Sequence, residues 1–512
     1  MKKGLALLLS ATMLMPSATA ARATEKKTYE QPFMKNTMGS ETFRIPGLIT
    51  LKNGSVMATV DMRYSHTQDS PNNLDTLVAV SPDGYKNWAY TVVNHFDDYP
   101  DGVTNEASAS FIDPVMIQSK TTDRIFLLCD AFPSGIGSAA SVPGSGCVTV
   151  DGKKYLALFD GDNTDITKAK YYIGDFSNGF ASVFALASKQ KTAYTVDSEY
   201  RLYKNGEALT MKQNGTEKTV KQNVFYIESE LTVFRTCFEW LRWSDDNGKT
   251  WSEPMVLNAF VKGENERFYG AGPGRGIVTT VNGKERIVFP MYWGGKTVEH
   301  FSAIYSDDGG KTWQRGENAS WRNAVEKTSE TQIVSLPNGG LRAYSRNAFK
   351  CIAYGDSFDG GKTWTKFQLD PQLTGKNDCM VSFLNTSKKI NGKTVLLASF
   401  AGNRDSRANG VVKVGLFEAD NSVTWISTYH INTGFFAYSC MTELSDGSIG
   451  ILVEETEYGV VNYKILSVDE NGNISEINGE NAPYADSRSK KEILRDKWRD
   501  FYLRLLKLFK LA

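Results

Sequence analysis

From residue 43 onward, short apolar runs alternate with tight-turn dipeptides. Apolar stretches flank Asn53-Gly54, Asn282-Gly283, Asn338-Gly339, Asn391-Gly392 and Asp446-Gly447. These are the pairs that supply the positive φ angles of two-residue hairpin loops. Thr122-Asp123, between the apolar residues 115–117 and 125–128, plays the same part more weakly. A second turn alternates with the first. Ser244-Asp245-Asp246-Asn247-Gly248-Lys249-Thr250-Trp251 returns as Ser306-Asp307-Asp308-Gly309-Gly310-Lys311-Thr312-Trp313 and as Ser357-Phe358-Asp359-Gly360-Gly361-Lys362-Thr363-Trp364. A degenerate copy starts at Ser81-Pro82-Asp83-Gly84. In such a string the Asp carboxylate accepts N–H bonds from its own turn, Gly takes a positive φ, and Trp packs beneath the loop.

Pairing each dipeptide with the next Asp-type turn divides the chain. The pairs are 53 with 81, 123 with 244, 282 with 306, 338 with 357, 391 with about 420, and 446 with about 467, the last two second turns being decayed. Six units of two hairpins predict six four-stranded sheets, an all-β, six-bladed β-propeller over residues 30–480. The second unit is far longer than the rest. The excess, residues 150–225, carries its own turns at Asp151-Gly152, Asn205-Gly206 and Asn214-Gly215, and reads as a small β-rich subdomain inserted in the propeller.

Both ends of the chain differ from this pattern. Lys2 and Lys3 precede an apolar run over residues 5–15, and Ala18-Thr19-Ala20 follows, so residues 1–20 read as a secretory signal peptide. The run is too short to span a bilayer. The expected location is therefore secreted, cell-surface or periplasmic. At the other end, Ser489 and Glu492 form a capping box, and Leu494, Trp498, Phe501, Leu505 and Leu508 share one helical face. Residues 488–512 thus predict a basic amphipathic helix. It either packs on the propeller or touches an anionic membrane or wall polymer.

Length and charge narrow the function. A chain of 512 residues has a soft prior of about three domains, which propellers routinely override. Lys+Arg is 58 and Asp+Glu is 58, so no global field favours nucleic acid, and an anionic ligand must be held by local arginines. Cys129, Cys147, Cys237, Cys351, Cys379 and Cys440 are scattered without a C-x-x-C, leaving room for one disulfide at most, and the histidines at 66, 95, 300 and 430 lie far apart. No zinc site and no cofactor is expected; a structural calcium is left open.

Residues eight to ten positions before or after each first turn gather on one propeller face. They are Arg44, Asp61 and Arg63; Asp113 and Phe132; Tyr292 and Trp293; Glu330 and Arg346; Asp378, with Arg404 and Arg407 on a longer loop; and Tyr438 with Glu454. Several arginines beside acids and a tyrosine describe a pocket for a carboxylate-bearing ligand, because guanidinium matches carboxylate bidentately.

Phe43-Arg44-Ile45-Pro46 followed by repeated Asp-type turns resembles the bacterial secreted exo-sialidases (neuraminidases), retaining glycoside hydrolases that release terminal sialic acid. The likeness covers about residues 30–480. The run Asp130-Ala131-Phe132-Pro133-Ser134-Gly135 is similar to clostridial and streptococcal members, which carry a comparable insertion. The resemblance implies an arginine triad of Arg44, Arg346 and Arg407, the last preferred over Arg404 for its match within Arg407-Ala408-Asn409-Gly410. It implies Tyr438 as nucleophile, Glu330 as its partner carboxylate and Asp69 as acid/base. Arg63 and Asp113 would contact the 4-hydroxyl and amide side of the sugar, and Glu454 would brace Arg44. Asp378 and Arg404 read as rim residues.

The chemistry of the residues agrees. Sialic acid carries a carboxylate on its anomeric carbon and would repel a carboxylate nucleophile, whereas a neutral phenol avoids that charge. The implied substrates are sialylated glycoproteins, glycolipids and oligosaccharides. Two alternatives stand beside hydrolysis: an intramolecular trans-sialidase releasing 2,7-anhydro-sialic acid, and a propeller that binds sialic acid without turning it over.

Overall fold

A computed structural model describes residues 28–101, 106–294, 299–320, 327–376 and 378–477. The signal peptide and the C-terminal helix expected from the sequence lie outside the described residues. Within them, the Asp-type turns close on themselves as their composition dictates. Ser244 Oγ accepts from Gly248 N at 2.8 Å, while Asp246 accepts from Thr250 N at 2.9 Å and from its hydroxyl at 2.6 Å. Ser306 with Asp308 and Ser357 with Asp359 repeat the pattern. In the three turns Gly248, Gly310 and Gly361 sit at φ 84°, 86° and 89°, where a side chain would be strained.

These turns link the outer strands of a six-bladed propeller. Four blades are consecutive four-stranded antiparallel sheets that open with Phe43–Thr50, Thr331–Ser335, Ser382–Ile390 and Phe436–Glu443. The second blade runs Ser110–Gln118, Ile125–Phe132, Phe238–Ser244 and Met255–Val256. In the third, the first strand is split into Phe268–Ala271 and Ile277–Val281, both paired to Lys284–Gly294. The short piece between them, Gly274–Arg275, leaves to pair in parallel with the second blade.

What holds the ring is packing between neighbours. A separate apolar cluster fills each of the six blade interfaces. The last one joins Leu48, Val56 and Val60 of the first blade to Leu444, Leu452 and Ile465 of the sixth, so closure needs no shared strand. Gln31 fastens it by exchanging two hydrogen bonds with the Tyr463 backbone, at 2.8 and 2.6 Å. Each such wholly buried aliphatic side chain contributes about 1.5–3 kcal/mol.

The insertion leaves the second blade between its second and third strands. It forms one large sheet from Cys147–Val150 and Lys153–Phe159 round to Thr232–Val233, with a small hairpin beside it. The sheet is therefore wider than residues 150–225. Its edge strands carry no turn dipeptide outside them, so turn signals alone could not mark them. An aromatic cluster including Phe96, Phe111, Phe225 and Trp240 seats it on the propeller. All six cysteines are free thiols, so no disulfide forms.

Candidate active site

Three first strands are distorted at the same place, where they reach the site. The pairing register slips between Arg44 and Gly47, between Ile112 and Val115, and between Phe436 and Ser439. Such bulges re-aim side chains, and these present Arg44, Asp113 and Tyr438 to one face. Two of them place a residue before proline at positive φ, Ile45 at 58° and Asp113 at 60°. That conformation is costly for a β-branched residue and persists only where the surroundings enforce it. Glu454 supplies the restraint. Its Oε1 accepts from Ile45 N at 2.9 Å, and its Oε2 accepts from Arg44 Nε and Nη2, each at 3.2 Å.

The bulged residues line a cleft of about 210 Å³ with Ile45, Asp69, Phe132, Tyr292, Glu330, Arg346 and Arg407. At its centre, the buried Tyr438 hydroxyl donates to Glu330 Oε1 and accepts from Arg346 Nη1 at 2.9 Å. The same Nη1 donates to Glu330 Oε2 at 2.8 Å. Arg44 and Arg407 lie against the Tyr438 ring, 5.3 and 5.5 Å from its centroid. Burial, and next the charge of Glu330, push the Tyr438 phenol well above its ordinary range, although Arg346 and Arg407 pull the other way. Tyr438 is thus a neutral phenol with an acceptor in place for its proton.

Asp69 stands at the mouth, on the loop after the strand Val56–Met62, with its side chain 66 % exposed. Its Oδ1 lies 2.7 Å from Arg63 Nη1 and 3.4 Å from Arg44 Nη1. Burial works to raise this carboxyl, but the charges of Arg63 and then Arg44 outweigh it and hold it below the usual range. The loop is braced from the insertion side: a Cβ on Gly137 would stand 2.1 Å from the Ser70 carbonyl oxygen.

Of the expected residues, Arg44, Asp69, Asp113, Glu330, Arg346, Arg407 and Tyr438 meet in the cleft. Glu454 lies behind Arg44. Arg63 is not among the residues that line the cleft. It is fully buried, and its guanidinium is spent on Asp61 at 2.7 Å, on Asp69 and on the Thr67 carbonyl at 2.9 Å. In this arrangement it positions Asp69. Asp61 lies beneath, where burial outweighs Arg63 and pushes its carboxyl up to about 7. Asp378 gives its backbone oxygen to Arg407, while its carboxylate pairs with Lys376 at 3.1 Å. Trp293 stacks on His300 instead of facing the cleft.

Two site residues fall outside the window of eight to ten positions, and a third, Ser329, falls inside it without having been singled out. Tyr458 stands on the loop after Ile449–Glu455, accepts from Arg407 Nη1 at 3.2 Å and lies 5.2 Å from Arg44. Phe268 lines the cleft because the split first strand of the third blade displaces it from its turn. Ser329 also lines it, with a buried hydroxyl that finds no partner among the described residues. Its place beside Glu330 was the signal available.

The comparisons bear on this geometry. The family model of the BNR repeat-like domain matches residues 203–451. The chain is 34 % identical over 452 residues to the anhydrosialidase of Macrobdella decora, covering 81 % of this chain and 58 % of that one. It is 30 % identical over 444 residues to sialidase B of Streptococcus pneumoniae, covering 81 % and 61 %. It therefore spans about three-fifths of the length of these two relatives. Among solved structures, the intramolecular trans-sialidase of Ruminococcus gnavus in complex with oseltamivir carboxylate superposes with a TM-score of 0.79 at 34 % identity. That likeness covers 86 % of this chain and 98 % of that one. The leech intramolecular trans-sialidase complexed with 2,7-anhydro-Neu5Ac gives 0.78 at 32 % identity, covering 87 % and 71 %.

Proposed function

Because the chain belongs to the sialidase family, we propose that it is a retaining exo-α-sialidase, releasing terminal sialic acids from glycoproteins, glycolipids and oligosaccharides through a tyrosyl–enzyme intermediate. The observation that carries this reading is the Tyr438 hydroxyl bonded to Glu330 inside the ring of Arg44, Arg346 and Arg407. The arginines receive the ligand carboxylate. Tyr438 attacks the anomeric carbon while its proton passes to Glu330, and the glycosidic bond breaks as Asp69 protonates the departing oxygen. Asp69 then takes a proton from the water that attacks the anomeric carbon, and Glu330 returns its proton to the freed tyrosine. A propeller that only bound the sugar would need neither this proton acceptor nor Asp69.

A second reading keeps every residue and replaces water with the sugar's own 7-hydroxyl. Two observations favour it: both superposed structures above are of intramolecular trans-sialidases, and Tyr458 adds an aromatic ring above Arg44. Mass spectrometry of the sugar released from sialyl-lactose separates the two, because the 2,7-anhydro product is one water lighter. No release of either sugar would refute both.

The same proposal places the enzyme outside the cytoplasm, on the strength of residues 1–20, with residues 488–512 touching an anionic surface. A full-length chain that never sediments with anionic liposomes would overturn the surface contact.

A further inference from the structure

Beneath the cleft, two acids are buried side by side with too few donors. Asp130 in Ile125–Phe132 and Glu239 in Phe238–Ser244 are directly paired across adjacent strands, and both are fully buried. Asp130 Oδ1 accepts from Ala271 N at 2.9 Å. Asp130 Oδ2 and Glu239 Oε2 find no donor, although the two carboxyl groups lie within hydrogen-bonding reach of each other. The arrangement is built in: a Cβ on Gly270 would stand 2.3 Å from Asp130 Oδ2. Lys262 supplies one positive charge nearby, with its Nζ given to Thr236 Oγ1 and the Cys237 carbonyl at 2.7 and 2.9 Å. Two ionised carboxylates cannot share such a site, whereas one proton between them satisfies both orphaned oxygens.

The pair also adjoins the cleft. Asp130 is the strand partner of Ile112, and the bulge that follows presents Asp113 to the ligand side. The groups facing Asp113 are Asp130 on its own blade, Asp61 and Asp69 from the first, the Tyr292 hydroxyl from the third, and Glu330 from the fourth. None is a cation. We propose that Asp130 and Glu239 share one proton at neutral pH and act together as a positioning pair, holding Asp113 protonated so that it donates a hydrogen bond into the cleft. Burial, with Asp130 the strongest of the neighbouring charges, raises the Asp113 carboxyl in the same sense. The shared proton stands on the buried geometry alone; the donation to a sugar rests on the function proposed above.

Amide variants test both parts. Asp130→Asn confines the pair's negative charge to Glu239, one strand farther from Asp113, whereas Glu239→Gln fixes it on Asp130. Affinity for free sialic acid, measured by calorimetry against pH, falls where Asp113 ionises. That fall moves to lower pH in Asp130→Asn and to higher pH in Glu239→Gln, within the one to three units a close charge gives. Asp113→Asn, whose donor does not titrate, removes it. A merely structural role would shift both amide variants the same way or neither, and that result would overturn the proposal. Infrared spectroscopy at neutral pH gives the second measurement: wild type shows a carboxylic-acid carbonyl band that each amide variant diminishes. A band unchanged in both variants overturns the shared proton. If sialic acid bound at no pH, the proposed function would fail, while the infrared result would still decide the pair.

Discussion

Replacing Asp69 by alanine separates proton donation from every other role in the site. The acid faces an adverse field: Arg63 and Arg44 approach its Oδ1 to 2.7 and 3.4 Å and, against burial, hold the carboxyl below its usual range. The acid form is therefore scarce at neutral pH, and the ligand carboxylate raises its share when it reaches Arg44 and cancels one of the two charges. A close charge is worth about one to three pKa units, and with the Asp69 side chain 66 % exposed the lower end applies, about one unit. Two consequences follow. The alkaline fall of kcat, which reports the bound enzyme, should lie about one unit above that of kcat/KM, which reports the free enzyme. Asp69→Ala should slow release from sialyl-lactose by about 10²–10⁴, because a sugar alkoxide needs the proton. An aryl sialoside with an acidic leaving group needs it far less. The assay is the ratio of first-turnover rates on the two substrates, taken across pH. Equal losses on both would refute Asp69 as the acid and turn attention to Asp113, the other acid in that wall of the cleft.

Tyr438→Phe should slow attack on both substrates alike and abolish trapping by a fluorinated sialic acid, which mass spectrometry of the intact protein would detect. Arg346→Ala removes the guanidinium that binds both Glu330 and Tyr438; affinity for free sialic acid should fall by about 2–5 kcal/mol in calorimetry, and unchanged affinity would remove Arg346 from the ligand contacts. Gly137→Ala should push the Ser70 carbonyl and displace Asp69, lowering turnover of sialyl-lactose more than that of the aryl sialoside, and an equal effect on both would show that this contact does not set the acid's position.

The architecture was legible because its signals are local. A Ser, an Asp and a Gly within one turn satisfy each other's hydrogen bonds, so three copies of that turn declare three blades before any long-range contact is known. The triad and the Tyr438–Glu330 pair were legible for a related reason. Strand length is nearly constant from blade to blade, so a count from the turn finds the face. The count failed where a strand is interrupted, as at Phe268, or where a loop continues past the strand end, as at Tyr458. The fate of Arg63 was hidden because its position along the chain is that of a cleft residue. Only the approach of Asp61 and Asp69 decides that its charge is used internally. Nor could Asp130 and Glu239 be matched by sequence, since the whole insertion separates them and their strand pairing makes them neighbours.

The charge arrangement explains why a tyrosine suits this cleft. Three guanidinium groups approach one point, two lying against the Tyr438 ring and one bonding its oxygen. In the proposed reaction they draw the ligand's anionic carboxylate directly beside the nucleophile. A carboxylate at position 438 would compete for the same arginines and repel the ligand. A phenol kept neutral by burial does neither, but it is a weak nucleophile until it loses its proton. The buried acceptor Glu330 removes that limit, and Arg346, bonded to both residues, stays in place as the charge moves from carboxylate to phenolate oxygen. The proton transfer by itself brings no net charge into or out of the floor of the site, so it needs no water there, and the phenolate charge is then consumed in the bond to the anomeric carbon.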